Sequence, residues 1–174
     1  TRSRGLGDVY KRQVIDYLLE YNIPKDQIIL DLFCGTGTIG QLISKNTPNN
    51  IIGVDIVESA IKNAIKNAQK NQLKNLKFIS SDVGKFLLNH PEYQNKIHSI
   101  VIDPPRAGIS PKSLRKVIRL NAKVIVYVSC NPATQARDLV TLNEMGYQLK
   151  KFSLVDQFPH TSHIESIMLF EKNQ

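Results

Sequence analysis

The stretch IILDLFCGTGTIG, residues 28–40, decides the fold. It begins as a short apolar run rich in branched residues, which is typical of a buried strand, and passes through a glycine-rich turn into a helix near Thr38. Gly35 and Gly37 let the backbone turn tightly and approach a ligand with no Cβ between them. This order of strand, turn and helix predicts the first unit of a ligand-binding α/β sheet.

The same alternation of apolar runs and amphipathic stretches continues on the C-terminal side. We expect strands at Ile28–Phe33, Ile51–Asp55, Leu76–Ser80, Ile97–Asp103, Lys123–Ser129, Tyr147–Asp156 and Ser166–Glu171. Helices are expected at Thr38–Lys45, Glu58–Asn71, Val83–Leu88, Pro111–Leu120 and Pro132–Met145, and Val14–Tyr21 is interpreted as the end of a further helix. The pattern predicts an α/β fold, a doubly wound, mostly parallel seven-stranded sheet with an antiparallel C-terminal strand pair.

Composition narrows the class of protein. The chain has 174 residues with a net charge of +8, which fits one domain. No apolar run approaches the roughly 20 residues that span a bilayer, and no secretory signal is visible, so we expect a cytoplasmic protein without a membrane partner. The two cysteines, Cys34 and Cys130, form no CxxC pair and suggest neither a disulfide framework nor a metal site.

The positive charge favours a polyanionic partner, but its distribution weakens that inference. Residues 1–13 carry +3 of the net charge and have no amphipathic period, so we interpret them as a foreign or disordered leader and residues 14–174 as the domain. In the helix Glu58–Asn71 a row of lysines recurs every four residues, and a solvated face is the simpler interpretation, with RNA contact as the alternative. The opposite face, predicted to lie on the sheet, consists of Ile61, Ala64, Ile65 and Ala68.

Acidic residues follow the first three strands. Asp31 can engage an ammonium group, Asp55 can accept hydrogen bonds from a ribose, and Asp82 suits the exocyclic amine of adenine. Each acid alone would more simply cap a helix. Together with the glycine turn, they predict a site for S-adenosylmethionine.

The later strands end in residues that suggest catalysis. Asp103 precedes two prolines and Arg106, a stiff segment that suits a wall against a flat base. Cys130 lies between a strand and a helix N-terminus, which makes it a candidate nucleophile, with a buried structural thiol as the alternative. The segment 156–166 is rich in titratable groups, and among them Glu165 is the strongest candidate for a general acid or base. His160 and His163 match no zinc signature with Glu165, so no metal is expected.

The motifs DLFCGTGTIG, GVDIVESAIKNA, DPPRAG, YVSCNPATQARDL and DQFPHTSHIES stand in the order and spacing of RNA uracil-C5 methyltransferases. Residues 14–174 resemble that family throughout, and SCNP with FPHTxHxE is specific to it. The form SCNPATQARDL resembles the ribosomal-RNA branch more than the transfer-RNA branch. The resemblance implies an S-adenosylmethionine-dependent enzyme that forms 5-methyluridine in RNA.

The resemblance also implies residue roles. Cys130 matches the thiolate that adds to carbon 6 of uracil, and Glu165 matches the base that removes the proton at carbon 5. Asp103 would face both cofactor and base. As weaker candidates, Arg106 would contact the base or a phosphate, and His163 would orient Glu165. The uridine would have to leave its stack to reach the thiol.

Departures from the family set further expectations. Relatives carry an N-terminal oligonucleotide-binding barrel, a further RNA-binding region and a Gln-x-Asn segment, and several carry an iron–sulfur cluster; none is visible here. We therefore expect a monomeric catalytic domain that binds cofactor weakly and RNA poorly. Two other functions stay open from the residues alone: an NAD-dependent Rossmann oxidoreductase, and a non-catalytic RNA-binding remnant of the fold.

Overall fold

The computed structural model describes residues 7–156, 160 and 164–174. Within them, the helices are α1 (Gly7–Leu19), α2 (Thr38–Ser44), α3 (Glu58–Lys70), α4 (Val83–Asn89), α5 (Pro111–Arg119) and α6 (Pro132–Glu144), with a 3-10 turn at Pro91–Tyr93. The strands are β1 (Ile28–Leu32), β2 (Ile51–Asp55), β3 (Leu76–Ser80), β4 (Ile97–Ile102), β5 (Val124–Ser129), β6 (Tyr147–Asp156) and β7 (Ile164–Lys172). The predicted elements are confirmed, with ends that differ by one or two residues.

The strands form one sheet in the order β3-β2-β1-β4-β5-β7-β6. Strands β1 to β5 pair in parallel, whereas β7 is antiparallel to both β5 and β6. The predicted doubly wound sheet with an antiparallel C-terminal pair is therefore confirmed. Because β7 lies between β5 and β6, its beginning is next to the end of β5.

The two faces of the sheet follow the alternation of side chains along each strand. Leu30, Ile100 and Ile125 pack beneath α4, α5 and α6 in one core. Ile29 and Val101 point the other way and pack with α1 and α2. Asp31 and Asp103 each follow one of these two residues at a spacing of two, so both carboxyl groups belong to the α1 and α2 side of the sheet.

Two expectations need revision. Helix α1 runs from Gly7 to Leu19, so Val14 lies in its C-terminal half as expected, and the partly buried Tyr10 packs against the same core as Val14. The helix thus crosses the boundary that we placed after residue 13; residues 1–6 lie outside the described residues, and their assignment to a leader stays a prediction. In α3, Ile65 is 39% exposed, so its predicted burial is wrong: the inner face is narrow, and Ile61, Ala64 and Ala68 occupy it.

Candidate active site

The candidate site lies where the parallel strands end. The carboxyl ends of β1, β2, β4 and β5 meet at one edge of the sheet, and the start of β7 joins them because β7 runs in the opposite direction. In open α/β sheets ligands bind in the crevice outside this edge. Asp31, Asp55, Asp103 and Cys130 lie at or directly after the ends of these parallel strands, and Asp82 follows the end of β3.

Asp31 is the most buried acid of the site. Its side chain is 0% exposed, and Oδ2 accepts a hydrogen bond of 3.1 Å from the backbone N–H of Gly40. Oδ1 has no hydrogen-bond partner among the described residues. Burial, with the nearby charges of Asp103 and Asp55, raises the pKa of Asp31 to about 8, against the opposing effect of the Gly40 N–H. A buried carboxyl with one unpaired oxygen is suited to receive a cationic group.

The two glycines of the turn have different roles. Gly35 has a φ of +54°, and a Cβ at this position would meet nothing within 4 Å, so the backbone here borders open space. Gly37 precedes α2 with a φ of +77°, but a Cβ there would overlap the ring of Phe78. We expected both glycines to allow a ligand to approach; at Gly37, the close neighbour is the aromatic ring of β3.

The next two acids hold backbone around the site. Asp55 Oδ2 accepts a hydrogen bond of 2.9 Å from the Gly35 N–H, and Oδ1 accepts one of 2.8 Å from Val57. Asp55 therefore fixes the glycine turn against the end of β2. Asp82 caps α4, with Oδ1 accepting from the Lys85 N–H at 2.9 Å. The capping role that we weighed for the strand-end acids is present at Asp82.

Asp103 interacts electrostatically with both the buried Asp31 and Glu165. Burial and the charge of Glu165 raise the pKa of Asp103 to about 7, while Lys11 and a hydrogen bond with Tyr10 oppose the shift. Asp103 in turn contributes to the raised pKa of Asp31. The three carboxyl groups of Asp31, Asp103 and Glu165 thus share one electrostatic environment.

Cys130 and Glu165 are brought together by the antiparallel pairing. Ser129 of β5 is opposite Ser166 of β7, so Cys130 and Glu165 are the next residues outward on the two chains. Ser129 and Ser166 end this ladder, in which opposite residues have Cα atoms about 5 Å apart, and Cys130 and Glu165 directly adjoin them. Cys130 is partly buried and directly precedes Asn131, whose side chain caps α6. Glu165 is the second residue of β7, as predicted for a rigidly aimed acid.

Cys34, the other thiol, has a different environment. It is partly buried at the end of β1, and burial, with the charges of Asp31 and Asp55, raises its pKa far above the ordinary range. A thiol that is so hard to ionise is a poor nucleophile. A structural role is therefore the better interpretation of Cys34.

Sequence reasoning missed Gln135 of α6. Its side chain is 1% exposed, and its amide donates to the carbonyl oxygens of Tyr127 at 3.0 Å and Ser166 at 3.4 Å. The Ser166 hydroxyl donates back to Gln135 Oε1 at 2.6 Å. Gln135 therefore ties α6 to both strands that carry Cys130 and Glu165. The available signal was a polar residue at helical spacing with the inward Leu142.

A second buried polar pair continues along α6. The Tyr127 hydroxyl donates to Asp138 at 2.7 Å, and Arg137 donates to the same carboxylate at 2.9 Å. Arg137 also donates to the carbonyl oxygen of Ile109 at 3.2 Å, in the loop that follows β4. These bonds fix the loop that carries Arg106 relative to α6.

The weaker candidates have separate outcomes. Arg106 is exposed, and its carbonyl oxygen accepts from the Asn131 side chain at 3.4 Å, which places it beside the N-terminus of α6. His163 lies outside the described residues, and the predicted orientation of Glu165 by His163 stays a prediction.

Over residues 7–156, 160 and 164–174, no group of three or more His, Cys, Asp or Glu side chains could hold a metal ion. No helix among them is long and apolar enough to cross a bilayer.

The sheet order and the strand-end site define a class, the Rossmann-like methyltransferases. The methyltransferase domain of bacterial CtHen1 superposes over 98% of this chain and 100% of its own length with a TM-score of 0.76 at 13% identity, a likeness of fold. The particular family follows from the sequence: the chain belongs to the tRNA (uracil-5-)-methyltransferase family, whose model matches residues 8–173.

Relatives of known name agree with this assignment. An uncharacterized RNA methyltransferase of Clostridium acetobutylicum is 40% identical over 99% of this chain and 36% of its own length. The 23S rRNA (uracil(1939)-C(5))-methyltransferase of Pseudomonas fluorescens is 37% identical over 99% and 36%. The tRNA (uracil-54, C5)-methyltransferase of Pyrococcus abyssi, solved with S-adenosyl-L-homocysteine, is 31% identical with a TM-score of 0.74 over 92% and 38%. The chain thus spans about a third of these relatives.

Proposed function

We propose that the chain methylates carbon 5 of a uridine in RNA, with S-adenosylmethionine as methyl donor and Cys130 as covalent nucleophile. The observation that carries this proposal is the pairing of β5 with β7, which brings Cys130 and Glu165 to adjacent positions at the carboxyl edge. Family membership supports the reaction class. The dehydrogenase alternative has no such support.

The residues present fit the proposed cofactor. The unpaired Oδ1 of buried Asp31 suits the ammonium group of its amino-acid part, and the open space at Gly35 admits a ligand against the backbone. Asp55 and Asp82 would then border the ribose and the adenine. When bound, S-adenosylmethionine supplies an electrophilic methyl group on a sulfonium.

The chemistry assigned to the chain begins with the thiol. The Cys130 thiolate adds to carbon 6 of uracil, the C5–C6 double bond opens, and carbon 5 becomes enolate-like and nucleophilic. After carbon 5 carries the methyl group, Glu165 accepts the proton that carbon 5 still holds. The C5–C6 double bond then reforms, and the thiolate leaves carbon 6. Both residues must reach neighbouring carbons of one ring, which their adjacent positions permit.

Asp103 fits a role at the uracil edge. A carboxyl that titrates near neutral pH can donate a hydrogen bond to a carbonyl oxygen while it is protonated. Such a bond would stabilise the negative charge that develops on the ring when the thiolate adds. The charge of Glu165 favours the protonated form of Asp103, so the two acids suit different roles.

The RNA target is proposed to be ribosomal. The Pseudomonas relative and the enzyme of the same name from Acinetobacter baylyi, 37% and 41% identical, are named for 23S rRNA. The transfer-RNA enzyme from Pyrococcus abyssi is 31% identical. RNA is thus the proposed partner.

A covalent trap tests the proposed function. RNA with 5-fluorouridine presents no removable proton at carbon 5, so the adduct should accumulate on the chain in the presence of S-adenosylmethionine. We expect a protein–RNA band that resists denaturing electrophoresis, that Cys130→Ala abolishes, and that Cys34→Ala retains. No adduct, or an adduct lost equally in both variants, would refute the thiolate mechanism.

Ligand binding separates the proposed enzyme from the alternatives. Calorimetry should show S-adenosylhomocysteine binding and no preference for NAD; the reverse order would support the oxidoreductase. A non-catalytic RNA-binding module would bind RNA yet show no adduct.

A further inference from the structure

The chain's charge is concentrated beside the candidate site. Residues 104–137 contain seven Lys and Arg residues and no Asp or Glu, so their own net charge is +7, whereas the rest of the chain sums to +1. This segment runs from the loop after β4, through α5 and β5, to the first turns of α6. The basic segment therefore contains Cys130.

Helix α5 has a buried apolar face and an exposed basic face. Leu114, Val117 and Ile118 are buried against the sheet. Lys112, Arg115 and Arg119 are exposed, and we call these three the α5 basic stripe. Their spacing of three and four places them on one side of the helix. The stripe spans about 10 Å along the axis at a rise of 1.5 Å per residue.

Nothing in the described part of the chain neutralises the stripe. Lys62 of α3 pairs with Glu58 at 3.0 Å, and Arg137 pairs with Asp138 at 2.9 Å, but the stripe makes no ion pair with residues 7–156, 160 or 164–174. The neighbouring helix α4 contains no acidic residue. Like charges at this spacing repel one another, and Lys112 stands at the positive end of the helix dipole.

The stripe begins at the edge of the sheet that holds the site. Ser110 caps α5 at the carboxyl end of β4, and the loop before it is tied to α6 by the Asn131 bond to Arg106 and the Arg137 bond to Ile109. A polyanion whose reactive unit lies at Cys130 would therefore pass α5 on leaving the site.

We propose that the α5 basic stripe binds phosphates of the RNA strand next to the target uridine. This inference rests on the proposed function, which places that uridine at Cys130. Four successive phosphates of one stacked strand, separated by three steps of about 3.4 Å, span about 10 Å and so match the length of the stripe. Arginine and lysine side chains without internal partners recognise phosphate through charge and hydrogen bonds.

The test compares two triple variants with the same change in net charge. One is Lys112→Gln, Arg115→Gln, Arg119→Gln; the control is Lys62→Gln, Lys66→Gln, Lys70→Gln on α3, also three exposed side chains. RNA affinity of the whole chain is measured from low to moderate salt. With about 0.7 counterions released per phosphate on single strands, the stripe variant should lose roughly 2 from the slope of log affinity against log salt. With affinities taken as equal at about 1 M salt, this change of slope corresponds to roughly 50-fold weaker binding of the stripe variant at about 0.15 M salt.

The outcomes separate this inference from the proposed function. We expect the control to keep most of the slope, and both variants to keep S-adenosylhomocysteine affinity and their unfolding midpoints. An unchanged slope in the stripe variant, or an equal loss in both variants, overturns the inference. If the unaltered chain forms no 5-fluorouridine adduct, the proposed function fails even when the slope differs as expected.

Discussion

Replacing Gln135 with leucine should destabilise the chain although leucine is apolar and similar in size. The change removes the donors to Tyr127 and Ser166 and leaves the Ser166 hydroxyl, in a side chain 1% exposed, without its acceptor. A buried polar group that loses its partner costs about 1–3 kcal/mol. We expect a loss of about 2 kcal/mol in the free energy of unfolding.

Urea denaturation followed by circular dichroism measures this loss. With a slope of about 2 kcal/mol per molar urea, the midpoint should fall by about 1 M at unchanged slope. The matched control is Ser166→Ala, which leaves the Gln135 carbonyl oxygen unpaired, and the double variant removes both groups. Because the pair is then absent as a whole, the double variant should lose at least 1 kcal/mol less than the sum of the single losses, a threshold at about the low end of the couplings of about 0.5–3 kcal/mol seen for contacting residues.

The same variants test the link to the site. Ser166 is next to Glu165 and opposite Ser129, so loss of the Gln135 bonds should slow adduct formation more than it lowers S-adenosylhomocysteine affinity. A Gln135→Leu chain as stable as the parent, or strictly additive losses in the double variant, would refute the role of Gln135.

Two further predictions concern the cofactor end of the sheet. The raised pKa of Asp31, about 8, means that the folded chain binds the extra proton, so stability should fall as pH rises, by up to about 1.4 kcal/mol per unit between pH 5 and 7. Urea midpoints across that range should show this fall in the parent and a smaller one in Asp31→Asn; equal slopes would contradict it. The affinity of the parent for S-adenosylhomocysteine, measured by calorimetry, should increase as the pH rises from 6 to 8, because ionised Asp31 is the form that pairs with an ammonium group. Gly37→Ala should cost about 3 kcal/mol or more through its φ of +77° and the Phe78 ring, and Gly35→Ala, in open space, about 1 kcal/mol. Similar losses in the two alanine variants would contradict the packing role of Gly37.

Much of the site was predictable because its residues follow strands directly. Asp31, Asp103 and Cys130 each end an apolar run, and parallel strands bring such positions to one edge. The bonds of Gln135 were not predictable, because its helical spacing indicates only an inward position and its partners are 8 and 31 residues away along the chain. The first residues of α1 were not predicted as helical either, because residues 1–13 have no amphipathic period.

The residues by themselves determined the type, order and inward faces of the strands, because apolar alternation along a chain reports burial directly. Only the tertiary structure decided which strand lies beside β5. The insertion of β7 between β5 and β6 sets Ser166 against Ser129 and so brings Glu165 to Cys130. A pattern along one strand specifies which face is buried, but the lateral neighbour depends on how all the strands pack together.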